Sequence, residues 1–325
     1  MVPPNTNLEK LKDQIPILLK AGYASSTWDK YSRSWGAWKD WCGSTGIIDI
    51  CPASNLDVAL YLTHIFHSRR TRGALDDAFN GIRWAHEISD FTSPTSSVFV
   101  KKVLEGAKRL CEKKSNQKDP LQVSHLVELF EATDSECLKD LRFLLIITLS
   151  FAGFLRISEL IALKVGDIEL HADFMTILVK KSKCDQLREG EHVYISQSGR
   201  VTCPLALTRK YLLLSGLGES KSNVLIGRMQ KISGHKYTIS GKTPLSYTRI
   251  REIILEGTTV LRERNPNLNI GTHSCRVGGA TAAAAGGASD RLLGKHGRWK
   301  SNKSRNRYVK DSVTNRLSVT KAMNL

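Results

Sequence analysis

Cysteine is scarce in this chain of 325 residues. The seven that occur, at 42, 51, 111, 137, 184, 203 and 275, are odd in number and never spaced C-x-x-C. That excludes a disulfide framework and a zinc ribbon or finger, and fits a reducing compartment. The phosphate loop G-x-x-x-x-G-K-[ST] is missing, which disfavours an NTPase. Neither H-E-x-x-H nor clustered carboxylates occur, so a metal nuclease is disfavoured and no metal or other cofactor is expected. The first residues, MVPPNTNLEKLKDQ, have no apolar stretch behind basic residues, so no signal peptide is expected. Long hydrophobic runs are absent too. The longest, Phe143 to Leu155, is broken by Thr148, Ser150 and Gly153 and is too short to span a bilayer. An intracellular protein is expected, nuclear if eukaryotic, with no membrane partner. Fixed-period repeats and low-complexity tracts are absent. Finally, carboxylates are few: 31 Asp and Glu face 48 Lys and Arg, for a formal charge of +17. A polyanionic partner follows, because neutralising phosphates releases condensed counterions.

What is present suffices for genuine cores, with 41% hydrophobic residues and six Trp, and the length favours two domains. The first 110 or so residues read as helix throughout. Trp28, Tyr31, Trp35, Trp38 and Trp41 recur at steps of three and four and mark one core-facing stripe, with Ser26 or Thr27 as a cap. Further helices are predicted over Asn55–His67, Gly73–Ile88 and Val98–Leu110. Their basic clusters, Arg69, Arg70 and Arg72, then Lys101 and Lys102, are candidate DNA contacts, although such clusters are more often solvated faces. Residues 1–112 are expected to form one helical domain. The polar stretch KKSNQKDP, 113–120, reads as a linker, and 121–325 as a second domain. In it, Ser124 is the expected cap of a helix over His125–Ala132, and Ser158 the cap of a helix through Leu163. The runs Asp167–Leu170, Thr176–Val179 and His192–Ile195 predict a small antiparallel sheet. Helices are expected again over Ala206–Leu214, Tyr247–Arg264, the Ala-rich Val277–Ala285 and Asp290–His296. The fold class is thus mainly α with a small antiparallel sheet. From Arg291 to Lys321 basic residues face a single acid, Asp311.

Three short patterns carry chemistry. Arg156-Ile157-Ser158-Glu159-Leu160 places an Arg before a helix. His273-Ser274-Cys275-Arg276 precedes Gly278-Gly279. Gly297-Arg298-Trp299 stands nine residues before Tyr308. Each alone is weak: an Arg before a helix is usually structural, and a lone His is more often a packing residue. Together their order and spacing resemble the tyrosine recombinases, the phage integrase family, over about Pro120 to Tyr308 and more loosely over the helical first domain.

The resemblance implies a helical core-binding domain, a catalytic domain, and strand cleavage with rejoining through a 3′-phosphotyrosine on Tyr308. It implies Arg156 and Arg276 as phosphate clamps, because a planar guanidinium binds two phosphate oxygens and stays protonated. His273 would donate to an oxygen or move the Tyr308 proton. A Lys on a β-turn would protonate the leaving 5′-oxygen. Lys180, Lys181 and Lys183 are candidates, and placing Ile177–Val179 on the strand puts Lys183 on the turn. Trp299 departs from the commoner His, as in a minority of the family, and its indole N–H can donate to phosphate. Glu159 is assigned a supporting role, orienting the cations, beside a plain capping role. Arg298 and Lys300 are added as DNA contacts. The expected partners are double-stranded DNA and other copies of the chain, as a homotetramer on two sites, with residues 309–325 packing on a neighbour. The two domains would close around the duplex. The run GRWKS, with no additional arm-binding domain, resembles recombinases of eukaryotic mobile elements such as Cryptons. Two alternatives stay open: a domesticated DNA-binding protein without catalysis, and a type IB topoisomerase-like enzyme.

Overall fold

The computed structural model describes residues 8–111, 118–180, 190–234, 236–311 and 313–323. The chain divides into two compact units, Met1–Ser115 and Asn116–Leu325. No described helix is long and apolar enough to cross a membrane.

The first unit contains α1 (Leu8–Ala21), α2 (Ser25–Thr45), α3 (Asn55–Arg69), α4 (Arg72–Ile88) and α5 (Val98–Leu110). Short polar side chains start its helices: Ser54 accepts from the Asp57 N–H and Thr71 from the Ala74 N–H, satisfying donors the first turn leaves open. The aromatic stripe lies on α2 as its spacing predicts. Trp38 is fully buried, donates its indole N–H to the Ile50 carbonyl at 3.2 Å and meets Tyr61 edge-on at 5.2 Å. Trp28 meets Trp84 edge-on at 5.0 Å. The basic residues Arg69, Arg70, Arg72, Lys101 and Lys102 are all exposed. Arg72 donates to the Lys108 carbonyl at 2.9 Å, and Lys102 pairs with Glu105 at 2.9 Å.

The second unit runs α6 (Val123–Glu131), α7 (Leu138–Ala152), α8 (Ile157–Ala162), β1 (Ile168–Leu170), β2 (Phe174–Val179), β3 (Glu191–Ser196) and α9 (Pro204–Ser215). It continues through β4 (Gly227–Ser233), β5 (Lys236–Pro244), α10 (Tyr247–Gly257), α11 (Thr259–Arg264), α12 (Ser274–Ala285), α13 (Asp290–His296), α14 (Asn302–Arg305) and α15 (Val313–Lys321). The whole is mainly α with small antiparallel sheets. Helix α7 is buried on every side from Leu141 to Ser150, so it is the centre of the core rather than one wall of it. The sheet β1-β2-β3 is antiparallel, with Ile177 opposite Ile168 on one side and Val193 on the other. Along β3 only Val193 and Ile195 turn inward, the period-two pattern of a half-solvated strand.

Two expectations are corrected and two features are added. Helix α6 starts one residue before Ser124, and Gln122 and His125 cap it reciprocally. The helix expected over Tyr247–Arg264 breaks at Thr258, whose buried hydroxyl donates to the Ile254 carbonyl at 2.7 Å. An unexpected hairpin, β4–β5, occupies 227–244. The last part of the expected linker is tied into the second unit. There Asp119 accepts from the Asn269 N–H at 2.8 Å, and Lys118 donates to the Asn269 side chain at 2.6 Å.

Helix α12 is held against α7 by a lack of side chain. A Cβ on Gly279 would stand 2.0 Å from the Phe151 carbonyl oxygen, so only Gly permits the approach that seats Arg276 beneath the α7–α8 turn. Gly279→Ala is expected to cost on the order of 1–3 kcal/mol or more, as an overpacked core does. Chemical denaturation of the two proteins checks it.

Candidate active site

Helix α7 ends at Gly153, and the next residue, Phe154, takes a left-handed backbone at φ 46°. This turn points the Phe154 carbonyl into the unit and leaves Arg156 as the N-cap of α8. The expected cap, Ser158, lies inside the helix. The Arg156 N–H donates to Glu159 Oε2 at 2.9 Å while its guanidinium donates to Oε1 at 2.6 Å. Glu159 therefore both caps the helix and holds a cation.

Glu159 is 3% exposed and serves three guanidinium groups. Arg298 reaches Oε2 at 2.9 Å, and Arg276 lies 3.9 Å from the same oxygen. Burial alone would raise the Glu159 pKa, but Arg298, Arg156 and Arg276 together hold it below the ordinary carboxylate value. It stays ionised at neutral pH, and the stability it confers is lost only as pH falls through that lowered value. Three cations around one anion leave surplus positive charge in a site largely shut off from water. Burial lowers the proton affinity of Arg276, and the neighbouring Arg156 and Arg298 lower it further. A guanidinium still keeps its proton near neutrality, so the cost of the surplus is carried by the fold. Charge of this kind is relieved by an anion.

Arg276, 1% exposed, donates to the Phe154 carbonyl and to the Gly297 carbonyl at 2.5 Å. Its Cζ stands 4.9 Å from the Trp299 ring centroid and 5.0 Å from that of Tyr308, and the two rings are 5.3 Å apart. The four sequence-distant residues Arg156, Arg276, Trp299 and Tyr308 thus share one locus. The Arg276 Nε–H and the Trp299 indole N–H are buried without a hydrogen-bond partner among the described residues. Buried donors are usually paired; the Arg298 Nε–H of this cluster is unpartnered too, as are donors on Trp84, Arg142 and Arg262 elsewhere. Tyr308 is half-buried. Thr281 clips its segment to α12, donating to the Tyr308 carbonyl at 3.3 Å and accepting from the Lys310 N–H at 3.1 Å.

His273 is exposed at the N-cap of α12, and Lys300 is exposed. Lys183 and Lys181 lie outside the described residues. Lys180, 62% exposed, pairs with Asp167. Arg298 corrects an expectation. Read as a surface DNA contact, it is 3% exposed, has a left-handed backbone at φ 55°, and donates to the carbonyls of Phe154 at 2.9 Å and His296 at 2.9 Å. That turn drives the side chain inward to Glu159. Arg305, from the basic run around Tyr308, is also buried and pairs with Asp290 at 2.8 Å, pinning α14 to α13. His296 escaped notice in the sequence. Its Nε2 donates to the Ala152 carbonyl at 2.8 Å, and burial with nearby Arg298 and Arg276 lowers its pKa, so it is a neutral prop for the turn.

The profile of the phage integrase family matches residues 120–314. An integrase/recombinase XerD homolog of Selenomonas ruminantium is 26% identical over 321 residues, covering 96% of this chain and 91% of its own. Among solved structures, a lambda integrase (75–356) dimer bound to a COC′ core site is 15% identical, with TM-score 0.56 over 95% of this chain and 97% of that one. The XerH recombinase bound to palindromic difH substrate, a post-cleavage complex, is 15% identical, with TM-score 0.56 over 84% and 71%. The Tn1549 transposon integrase with transposon right-end DNA is 12% identical, with TM-score 0.56 over 84% and 86%. At these identities the structures share the fold. With the profile spanning more than half its length, this chain belongs to the phage integrase family, the tyrosine recombinases.

Proposed function

We propose that this protein is a site-specific DNA recombinase that cuts and rejoins duplex DNA through a 3′-phosphotyrosine on Tyr308, using neither metal nor ATP. The observation that carries this reading is the buried surplus of guanidinium charge around Glu159, with the Tyr308 ring 5.0 Å from Arg276 Cζ. A scissile phosphate entering there meets Arg156 and Arg276, and the unpartnered Arg276 Nε–H and Trp299 indole N–H supply donors for its oxygens. The Tyr308 oxygen attacks phosphorus and the P–O5′ bond breaks. The tyrosine proton passes to a base, His273 by family likeness, and the departing 5′-oxygen takes a proton from the general acid, for which Lys183 remains the choice. A 5′-hydroxyl then attacks the phosphotyrosine and releases Tyr308, so the ester energy is conserved. Residues 1–112 would grip the duplex as the core-binding domain through Arg69, Arg70, Arg72, Lys101 and Lys102.

A homotetramer on two DNA sites completes the reading. An apolar cavity of about 690 Å³ beside α12 and α13 is lined by Phe151, Tyr194, Ala283 and Leu292. Helix α15 leaves Leu317 and Val319 49% and 61% exposed, matching a tail that docks on a neighbour. Incubation with nicked duplexes, followed by denaturing gels and sequencing of captured 3′ ends, tests the proposal. A covalent adduct through Tyr308 supports it, and its absence from all duplexes refutes it. Supercoil relaxation without strand exchange would instead mark a topoisomerase.

Arg298 offers a separate check. Gly fits a left-handed backbone best, so Arg298→Gly relieves local strain of about 1 kcal/mol while removing one of three cations from Glu159. Melting is expected to fall, because the loss of a buried ion pair and of donors to the Gly153, Phe154 and His296 carbonyls outweighs that relief. Covalent capture should slow roughly tenfold, less than the 10²–10³ of a donor that touches the phosphate, because Glu159 then draws Arg156 and Arg276 away from it. Single-turnover rates with calorimetry decide the outcome.

A further inference from the structure

The hairpin β4–β5 stands outside the catalytic cluster. Between Glu219 and Glu252 no carboxylate occurs, while Lys or Arg stands at 221, 228, 231, 236, 242, 249 and 251. It is the longest acid-free stretch of the chain, and five of these cations lie on the ribbon or its approach. None of Arg228, Lys231, Lys236 and Lys242 joins an ion pair among the described residues, whereas Arg249 in the next helix is paired with Glu252 and Glu256. The ribbon has two distinct faces. Met229 lies opposite Ile239, and Met229, Ile239 and Tyr237 pack on the core. Gln230 lies opposite Thr238 on the other face. Strand alternation adds Arg228 and Lys236 to that face, and all four are exposed. Ile232 follows Gln230 toward the tip and is 67% exposed. The solvated face thus offers hydrogen-bond donors, positive charge and one apolar side chain, but no acid.

The root of the ribbon is rigid and close to the active site. Buried Arg142 of α7 donates to the Gly227 carbonyl at 3.0 Å. The Leu225 N–H donates to the Leu163 carbonyl at 2.9 Å, and the Val165 N–H to the Asn223 carbonyl at 2.8 Å. Leu163 is the C-cap of α8 and Arg156 its N-cap. At about 1.5 Å per residue the ribbon therefore roots on the order of 10 Å from Arg156 along that helix, well within one turn of a duplex held by its phosphate there.

We propose that the β4–β5 ribbon is a DNA-reading element that lies in the major groove beside the cleavage point, with Arg228, Gln230 and Thr238 toward base edges and Lys236 and Lys242 on phosphates. A two-stranded ribbon fits that groove, Arg and Gln pair bidentately with guanine and adenine edges there, and an apolar side chain meets the thymine methyl. This rests on duplex DNA being the substrate, as the proposed function holds.

The test uses the full chain and the duplexes recovered by covalent capture. Lys236→Ala with Lys242→Ala should lower the slope of log binding constant against log salt by about two units, since each phosphate contact contributes about 0.9. Arg228→Ala with Gln230→Ala should leave that slope nearly unchanged but relax base preference at two or more adjacent positions among captured ends. A photocrosslinking residue at Thr238 should label DNA beside the cleavage point in otherwise wild-type protein, which bypasses any folding defect of the variants. Unchanged slope and preference with no crosslink from Thr238, in protein that still captures DNA through Tyr308, overturns the ribbon and leaves the recombinase standing. Should the wild type capture no DNA, the recombinase reading falls. The slope and crosslink on bound random duplex then decide the ribbon, the same two results supporting or overturning it.

Discussion

Tyr308→Phe is expected to reduce covalent DNA capture below detection while leaving duplex affinity within about twofold. The substitution removes one oxygen and keeps the ring, so the packing of residue 308 on Trp299 at 5.3 Å and under Arg276 at 5.0 Å persists. The backbone clip through Thr281 is also unaffected, because it uses main-chain groups of residues 308 and 310. Binding free energy resides mainly in phosphate contacts made by Lys and Arg, none of which this change touches. Bond formation to phosphorus, by contrast, has no substitute nucleophile at that position. A denaturing gel of protein with nicked duplex, beside an equilibrium binding curve, separates the two quantities. Adducts from the Phe variant at wild-type yield would move the nucleophile elsewhere, and a large loss of affinity would make Tyr308 a binding residue first.

Much of this was legible in the sequence because the chemistry demands rare residue types at fixed order. Arg156, Arg276, Trp299 and Tyr308, which the family resemblance singles out, lie around one cluster of guanidinium groups and aromatic rings, and α2, α3, α5 and α13 fall close to the predicted helices. Each departure from the expected structure has a physical cause. Arg298 sits between Gly297 and Trp299 in a basic run, and nothing local distinguishes a solvated Arg from one turned inward. The decision lies in a left-handed backbone at 298 and in a carboxylate 139 residues away. The β4–β5 ribbon is not legible in the sequence because its inward positions hold only Met229, Tyr237 and Ile239, too few for period-two alternation to stand out, and the register shifts at two places. Residue preference favours Ser158 as the cap, whereas Glu159, held by three cations, caps from inside the helix. At Arg298 and Glu159 a tertiary contact overrides a local propensity.

Arg276→Ala should slow covalent capture at saturating DNA by on the order of 10²–10³, the scale on which one preorganised transition-state donor is lost. Arg276→Lys should recover little of it. A guanidinium reaches the Phe154 and Gly297 carbonyls at once and keeps an unpartnered Nε–H, while an ammonium is a point charge with no fork to fix its direction. The stability of the free protein should fall less than a buried, doubly hydrogen-bonded side chain suggests. Removing Arg276 leaves two carbonyls short of a donor, at about 1–3 kcal/mol. It also removes a cation crowded by Arg156 and Arg298, which are among the causes that lower its pKa. The two effects offset, so the alanine variant is expected to melt within a few degrees of wild type while its chemistry collapses. Single-turnover kinetics and calorimetry on the same preparations measure both. A rate within threefold of wild type would remove Arg276 from the clamp. A rate loss matched by an equal loss of folded protein would make it a structural residue, and the surplus positive charge around Glu159 would then need another account than a phosphate.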